Sequence, residues 1–324
     1  MCASNKKNNK EIITNIKNNN NKNKNLFKGY IELIRPFTLL APFFVSFCIM
    51  IAGLIFNARV NQMAMPADWI FTALRAAITM ALVNAASNAL NQAADIESDI
   101  ISKPYRPIPK KLIKLEEANS FAYSFYLIAM ILAFTINWYF TIITFLIMMF
   151  TVTYSLPPRM KQYLFINQIW IAVPRGLLGI LAGWSVFSNP FQILPLAMGS
   201  IAMIFLIGGM STKDIVDSEA DKKTGVNTLV NTFGVRRAAY MSVPFMVAPY
   251  IFIPLLIQFK LIHNYFWPLT LFGFFSLFVY VLMKQSQQKS RKFENIQAWS
   301  MMYVEYILFA ITFASLAIFG GYFS

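Results

Sequence analysis

Stretches of about 20 predominantly apolar residues recur along this 324-residue chain, and each is long enough to cross the hydrocarbon core of a bilayer as a helix. Backbone in lipid must satisfy its own hydrogen bonds, so a chain built mostly from such stretches is confined to an all-α polytopic bundle. Nine spans are expected, at about 37–56, 68–90, 118–137, 139–156, 168–188, 191–210, 239–259, 265–284 and 299–320. Short polar segments between them hold nearly all the charge. With 57% hydrophobic and 13% charged residues, the whole chain is far more apolar than a water-soluble domain. Residues 1–25 differ: this Asn/Lys-rich run has too little apolar surface to offset its chain entropy, and a disordered tail with its lysines near anionic headgroups is expected ahead of a membrane domain at 26–324. The run lacks the apolar core of a secretory signal. Two cysteines, Cys2 and Cys48, and one histidine, His263, support neither a disulfide framework nor a zinc site.

A net charge of +14 raises the question of nucleic acid, but the basic residues are distributed by topology. Of 28 Lys and Arg, 24 lie before span one or after spans two, four, six and eight. The alternate loops hold only Arg59 and Lys260, and Arg75 and Arg175 lie within apolar spans. A nucleic-acid partner is therefore not expected. By the positive-inside rule the N-terminus and the even-numbered exits face the cytoplasm, and an odd number of spans then places the C-terminus outside the cell membrane.

Half of the 14 acidic residues sit in two short segments on that basic side. Span two ends in Asn84, Asn88, Asn91, Asp95 and Asp99, whose spacing of three and four places them on one helix face. The exit of span six carries Lys213, Asp214, Asp217, Glu219 and Asp221, again at three and four. Like charges so spaced repel unless cations bridge them, and Mg2+ suits the task because it takes few carboxylates and fills its remaining positions with water and substrate phosphate oxygens. The competing expectation is that the acids are ordinary helix ends paired with Lys103, Arg106, Lys222 and Lys223.

With these residues in place the chain resembles the UbiA superfamily of intramembrane prenyltransferases, whose signatures are an Asn-x3-Asp-x3-Asp motif and a second aspartate-rich motif. They read NQAADIESD and KDIVDSEAD here, followed by ISKPYRPIPK and KKTGVNTLVNTFG, while YSLPPRMK at the exit of span four is similar to the family's Tyr and basic-residue loop. Gln92 stands where many members have Asp, and Ala220 where a glycine often precedes the last aspartate. The resemblance implies an all-α helical bundle around a central cavity and a Mg2+-dependent enzyme that binds a prenyl diphosphate. Asn91, Asp95 and Asp99 would serve one metal site and Asp214, Asp217 and Asp221 the other. Lys103, Arg106, Arg159, Lys161 and Lys213 are candidate contacts for the diphosphate. Tyr154 is a candidate to stabilise the allylic cation or orient the diphosphate, with membership of an interfacial tyrosine belt an equal explanation.

Within the superfamily the second motif most resembles the archaeal digeranylgeranylglyceryl phosphate synthases, which implies geranylgeranylglyceryl phosphate as the acceptor, although Met210 replaces a Glu common in that branch. YSLPP is also similar to the chlorophyll synthase branch, and an aromatic acceptor of the quinone type stays open. An ion or lipid transporter is the alternative of another class, disfavoured because coupling-ion sites lie near the midplane while these acids map to one boundary. Arg175, seven residues into span five and roughly 10 Å deep, needs a partner or a wet cavity, and is a candidate to hold an anionic acceptor. Snorkelling, or pairing with carbonyls freed near Pro174, is the structural alternative.

Overall fold

In the computed structural model, residues 26–62, 64–286 and 296–320 are described. The expected tail at 1–25 and Cys2 lie outside them. Nine helical segments among the described residues are long and apolar enough to cross a membrane: Pro36–Asn61, Trp69–Ala94, Leu115–Phe134, Trp138–Ser155, Ile166–Ser185, Ile193–Thr212, Val235–Gln258, Asn264–Gln285 and Gln297–Phe319. They match the expected spans to within a few residues. The differences are at the ends, where polar residues such as Asn91 and Gln285 continue the helix past the apolar run that marks it.

Small residues bring the helices together. Ala76, Ala77, Ala86 and Ala89 of span two and Ala118, Ala122, Ala129 and Ala133 of span three are fully buried, and these two spans have the most extensive contact in the molecule. Without a hydrophobic drive between helices in lipid, such close backbone approach supplies the dispersion contacts that association requires. A second packed group joins spans one and five to nine, with Trp184, Phe205, Phe266, Phe309 and Phe313 buried at its centre. Glu305, wholly buried in span nine, meets the Ser276 hydroxyl of span eight at 2.5 Å.

Spans one and five are interrupted by π turns. Span one opens with a 3-10 turn at Pro36–Leu39 and a π turn at Ala41–Val45, and span five has a π turn at Val173–Leu178. Each π turn contains a proline, Pro42 or Pro174, whose missing N–H breaks the regular ladder. Both prolines face the same interior cavity.

The start of span one is irregular for a further reason. Arg35 takes a left-handed conformation (φ 53°) directly before Pro36, so the Thr38 amide bonds back to the Arg35 carbonyl at 2.8 Å and the carbonyls of Leu33 and Ile34 lose their usual helical partners. Span two restores them. Gln92 donates to Leu33 O at 2.7 Å, and Asn88 to Ile34 O at 2.9 Å and Thr38 Oγ1 at 2.8 Å, while Asn84 donates to Thr38 O at 3.0 Å. Asn84 and Asn88, expected only as part of a polar face, are fasteners for span one.

Candidate active site

The first motif does not continue as one helix. Span two stops at Ala94, Asp95 is its C-cap residue (φ −106°, ψ 18°), and a short cap helix, Ile96–Ser102, follows. The single face expected through Asp99 is thus broken at Asp95, as suits a residue whose short side chain engages neighbouring groups rather than extending a helix. Asp95 accepts from Asn91 Nδ2 at 2.9 Å on one side and meets Arg159 at 3.0 Å and Lys161 on the other. Asp99, buried, is held through both carboxylate oxygens by Arg106 at 2.9 and 2.7 Å. The second motif forms one cap helix, Asp214–Lys223, as its spacing predicts.

The two cap helices pack on each other at the same end of the bundle. Lys103, just after the first, pairs with Asp217 on the second, and Lys213 meets Asp214 at 2.5 Å. A belt of four aspartates and five cations therefore closes that end, Asp95, Asp99, Asp214 and Asp217 with Lys103, Arg106, Arg159, Lys161 and Lys213, and Asp221 adjoins it beside Asp214 and Asp217. Of the other two lysines considered as partners, Lys223 pairs with the exposed Glu219, at 3.0 Å, and for Lys222 no ion pair is found among the described residues.

The belt is electrostatically uneven. Burial pushes the Asp217 carboxyl up, but Lys103, Lys213 and Arg106 outweigh it and hold this acid below its ordinary value. Asp221 is different: burial, with Asp214 and Asp217 beside it, pushes it up to about 8. Burial also raises Asp214 against the pull of Lys213, and its second oxygen is buried without a hydrogen-bond partner. Asp99 is raised by burial against Arg106 and Lys103, and burial lowers Lys161 against the pull of Asp95.

Beneath the belt lies a cavity of about 200 Å³. Of the expected site residues, Asn91, Tyr154, Lys213 and Arg175 line it, while the aspartates stand above, outside its lining. Tyr154 faces this interior, its ring centroid 5.8 Å from Lys161 Nζ, and is therefore part of the cavity wall rather than of an interfacial belt. Trp170, tilted at 46° against Phe150 with centroids 4.7 Å apart, forms another wall. Span five begins at Ile166, earlier than expected, so Arg175 is nine residues in and roughly 14 Å deep. It is exposed to the cavity, as a wet location requires.

Several contributors were not anticipated. Ser155 accepts from Asn91 at 3.4 Å, and Arg35, Thr38, Tyr303 and Tyr306 line the cavity. Tyr303 and Tyr306 are three apart and so share a helix face, a signal available in sequence; Arg35 carried the signal of an arginine placed just before the proline that opens span one.

Among the described residues no group of three or more His, Cys, Asp or Glu stands close enough to hold a metal ion unaided. The acids nonetheless fit Mg2+ arriving with a phosphate ligand. Asp214 has an orphaned buried oxygen and Asp221 is crowded by the acids Asp214 and Asp217, and a divalent ion sharing phosphate oxygens needs only one or two carboxylates at a time.

Residues 39–304 match the model of the UbiA prenyltransferase family. The chain belongs to that family. It is accordingly a prenyltransferase, and the transporter alternative falls. Among its relatives, the digeranylgeranylglyceryl phosphate synthase of Methanobrevibacter smithii is 24% identical over 286 residues, covering 87% of this chain and 96% of that protein. The enzyme of the same name from Methanosarcina barkeri is 27% identical over 274 residues, covering 83% and 94%. The structure of a UbiA homolog from Archaeoglobus fulgidus bound to GPP and Mg2+ shares the fold, with a TM-score of 0.66 and 20% identity over 90% of this chain and 99% of that one. Within the family pattern, Gln92 at the position of a common Asp has a local explanation here: an ionised carboxylate cannot donate to the Leu33 carbonyl, and an amide can.

Proposed function

We propose that this prenyltransferase moves a geranylgeranyl group from its diphosphate to geranylgeranylglyceryl phosphate, at the cytoplasmic face of the membrane. The observation that carries the proposal is the pairing of the two aspartate motifs across a shared basic belt above an apolar-walled cavity, in a chain that aligns with digeranylgeranylglyceryl phosphate synthases over nearly their whole length. In the reaction the bond between the allylic carbon and the diphosphate oxygen breaks, diphosphate leaves with the electron pair, and the free glycerol hydroxyl of the acceptor forms the new ether bond while its proton passes to a phosphate oxygen or water.

Asn91, Asp95 and Asp99 on one side and Asp214, Asp217 and Asp221 on the other are the residues we assign to Mg2+. Bound there, Mg2+ would neutralise the charge that develops on the leaving diphosphate. Lys103, Arg106, Arg159, Lys161 and Lys213 exchange their present carboxylate partners for diphosphate oxygens, at positions already fixed by the cap helices. The ring face of Tyr154, within the cavity and beside Lys161, borders the space where the allylic carbon becomes cationic.

The experiment is incubation of purified protein with geranylgeranyl diphosphate and a panel of acceptors, phosphorylated glycerol ethers and aromatic acids among them, followed by mass analysis of the products. An ether of geranylgeranylglyceryl phosphate is expected. Prenylation of an aromatic acceptor alone refutes the assignment of acceptor and leaves the family intact.

A further inference from the structure

The cavity beneath the belt is lined by positive charge of its own. Arg35, at the start of span one, and Arg175, midway along span five, both line the cavity, as does Tyr303 of span nine. Belt cations are matched with carboxylates. No carboxylate among the described residues forms an ion pair with Arg175.

Both arginines are held in place by local structure that is otherwise unfavourable. Arg35 sits in the left-handed region immediately before a proline, where steric clash disfavours helical backbone for any residue with a side chain. That conformation is maintained by the amides of Asn88 and Gln92, which take up the carbonyls it frees. Arg175 projects from the π turn of span five, next to Gly176, which lies against the backbone of Met203 in span six so closely that no side chain fits between. The Tyr306 hydroxyl donates to the Arg175 carbonyl at 2.8 Å from span nine. Three spans thus fix the direction of one arginine, and it points into a chamber that also holds Val45, Val83, Ile147 and Phe150. Strained backbone retained by its surroundings is a mark of function. The chamber thus sets two cationic groups beside apolar side chains, the pairing that an anionic head on an apolar tail requires.

We infer that Arg35 and Arg175 form a clamp for the phosphate of the acceptor, separate from the diphosphate belt, and that the clamp makes the enzyme select a phosphorylated glycerol ether over the corresponding alcohol. This rests on the reaction proposed above and names the part of the site that recognises its second substrate. Two planar guanidinium groups that line one cavity from different spans match the tetrahedral oxygens of a phosphate monoester. The acceptor's tail lies against the apolar wall and its hydroxyl reaches towards the belt.

The test compares geranylgeranylglyceryl phosphate with geranylgeranylglycerol, which lacks only the phosphate, in steady-state kinetics and in calorimetric binding without prenyl diphosphate. In Arg35→Gln and Arg175→Gln the KM and Kd for the phosphorylated acceptor should rise by roughly 10- to 100-fold each, the loss expected for charged hydrogen bonds to phosphate. The KM for geranylgeranyl diphosphate should stay within about threefold, and the preference for phosphorylated acceptor over alcohol should collapse towards unity. Arg35→Lys and Arg175→Lys keep the charge without the fork, and should fall between wild type and the Gln variants; they also carry the test where a Gln variant does not fold. A parallel rise in the KM for the diphosphate places the arginines in the donor site and overturns the clamp, as does unchanged acceptor binding in folded variants. If the wild-type protein binds the phosphorylated acceptor tightly and the alcohol weakly but forms no ether from it, the proposed reaction fails and the clamp stands.

Discussion

Span five offers two glycines three residues apart whose substitution by alanine should have opposite outcomes. At Gly176 an added Cβ comes within 2.5 Å of Met203 Cα, with the Met203 nitrogen closer still, whereas at Gly179 the nearest atom is the Pro174 carbonyl oxygen at 3.4 Å. Ordinary contact begins at 3.4 Å, so Gly176→Ala forces spans five and six apart by about 0.9 Å or tilts the π turn that carries Arg175. Overpacking against backbone costs about 1–3 kcal/mol, and a displacement of about 1 Å at a substrate-positioning group is enough for a hundredfold loss of activity. Gly179→Ala meets no obstruction and gains up to about 1 kcal/mol of helix propensity. Thermal unfolding in detergent should therefore show Gly176→Ala melting several degrees below wild type and Gly179→Ala at or above it. Turnover should fall at least tenfold in the first and stay near wild type in the second. Equal melting temperatures for the two variants, or full activity in Gly176→Ala, would refute the close approach that aims Arg175.

Three further outcomes are expected. Chelation by EDTA should abolish prenyl transfer and Mg2+ should restore it, with Asp95→Ala and Asp217→Ala losing more than a hundredfold in kcat/KM; full activity of either variant in excess chelator rules out the assigned metal ligands. Gln92→Glu removes the donor to the Leu33 carbonyl and places an acid at a site only 1% exposed, so stability should drop by about 1–3 kcal/mol, read as a lowered melting temperature. A reporter fused after Ser324 should be extracytoplasmic and one at the N-terminus cytoplasmic, and a cytoplasmic C-terminal signal contradicts an odd number of spans.

How far the site was legible in sequence depends on the kind of signal each residue carries. Span positions follow from runs of apolar residues, a property of composition over about 20 positions that tertiary contacts scarcely alter. The second motif kept its spacing because Asp214, Asp217 and Asp221 fall within one uninterrupted helix. The first did not, because Asp95 has a choice between continuing a helix and engaging Arg159 and Lys161, and those partners lie far along the chain where periodicity carries no information. The pairing of Lys103 with Asp217 was likewise invisible: each acid was matched in sequence with nearby cations, and the observed partner crosses from one motif to the other.

The asparagines of span two show a more general limit. Asn84, Asn88 and Asn91 lie on one face and read as equivalent members of a polar stripe, yet only Asn91 reaches an aspartate. What separates them is the condition of span one opposite. Where its backbone is broken by Arg35 and Pro36, buried carbonyls need donors, and leaving such groups unpaired in a membrane interior costs several kcal/mol each. Asn88 and Gln92 supply those donors, and only past the break is Asn91 free to turn towards Asp95. The strained start of span one therefore divides the stripe into a structural part and a part that joins the belt, and the same strain brings Arg35 into the cavity. A double variant, Asn88→Ala with Arg35→Gln, should be less than additive in acceptor binding. Once Asn88 no longer supports the left-handed turn, Arg35 is already displaced and its removal has less left to take away. Full additivity of the two losses would mean that Asn88 supports the fold and has no part in placing the arginine.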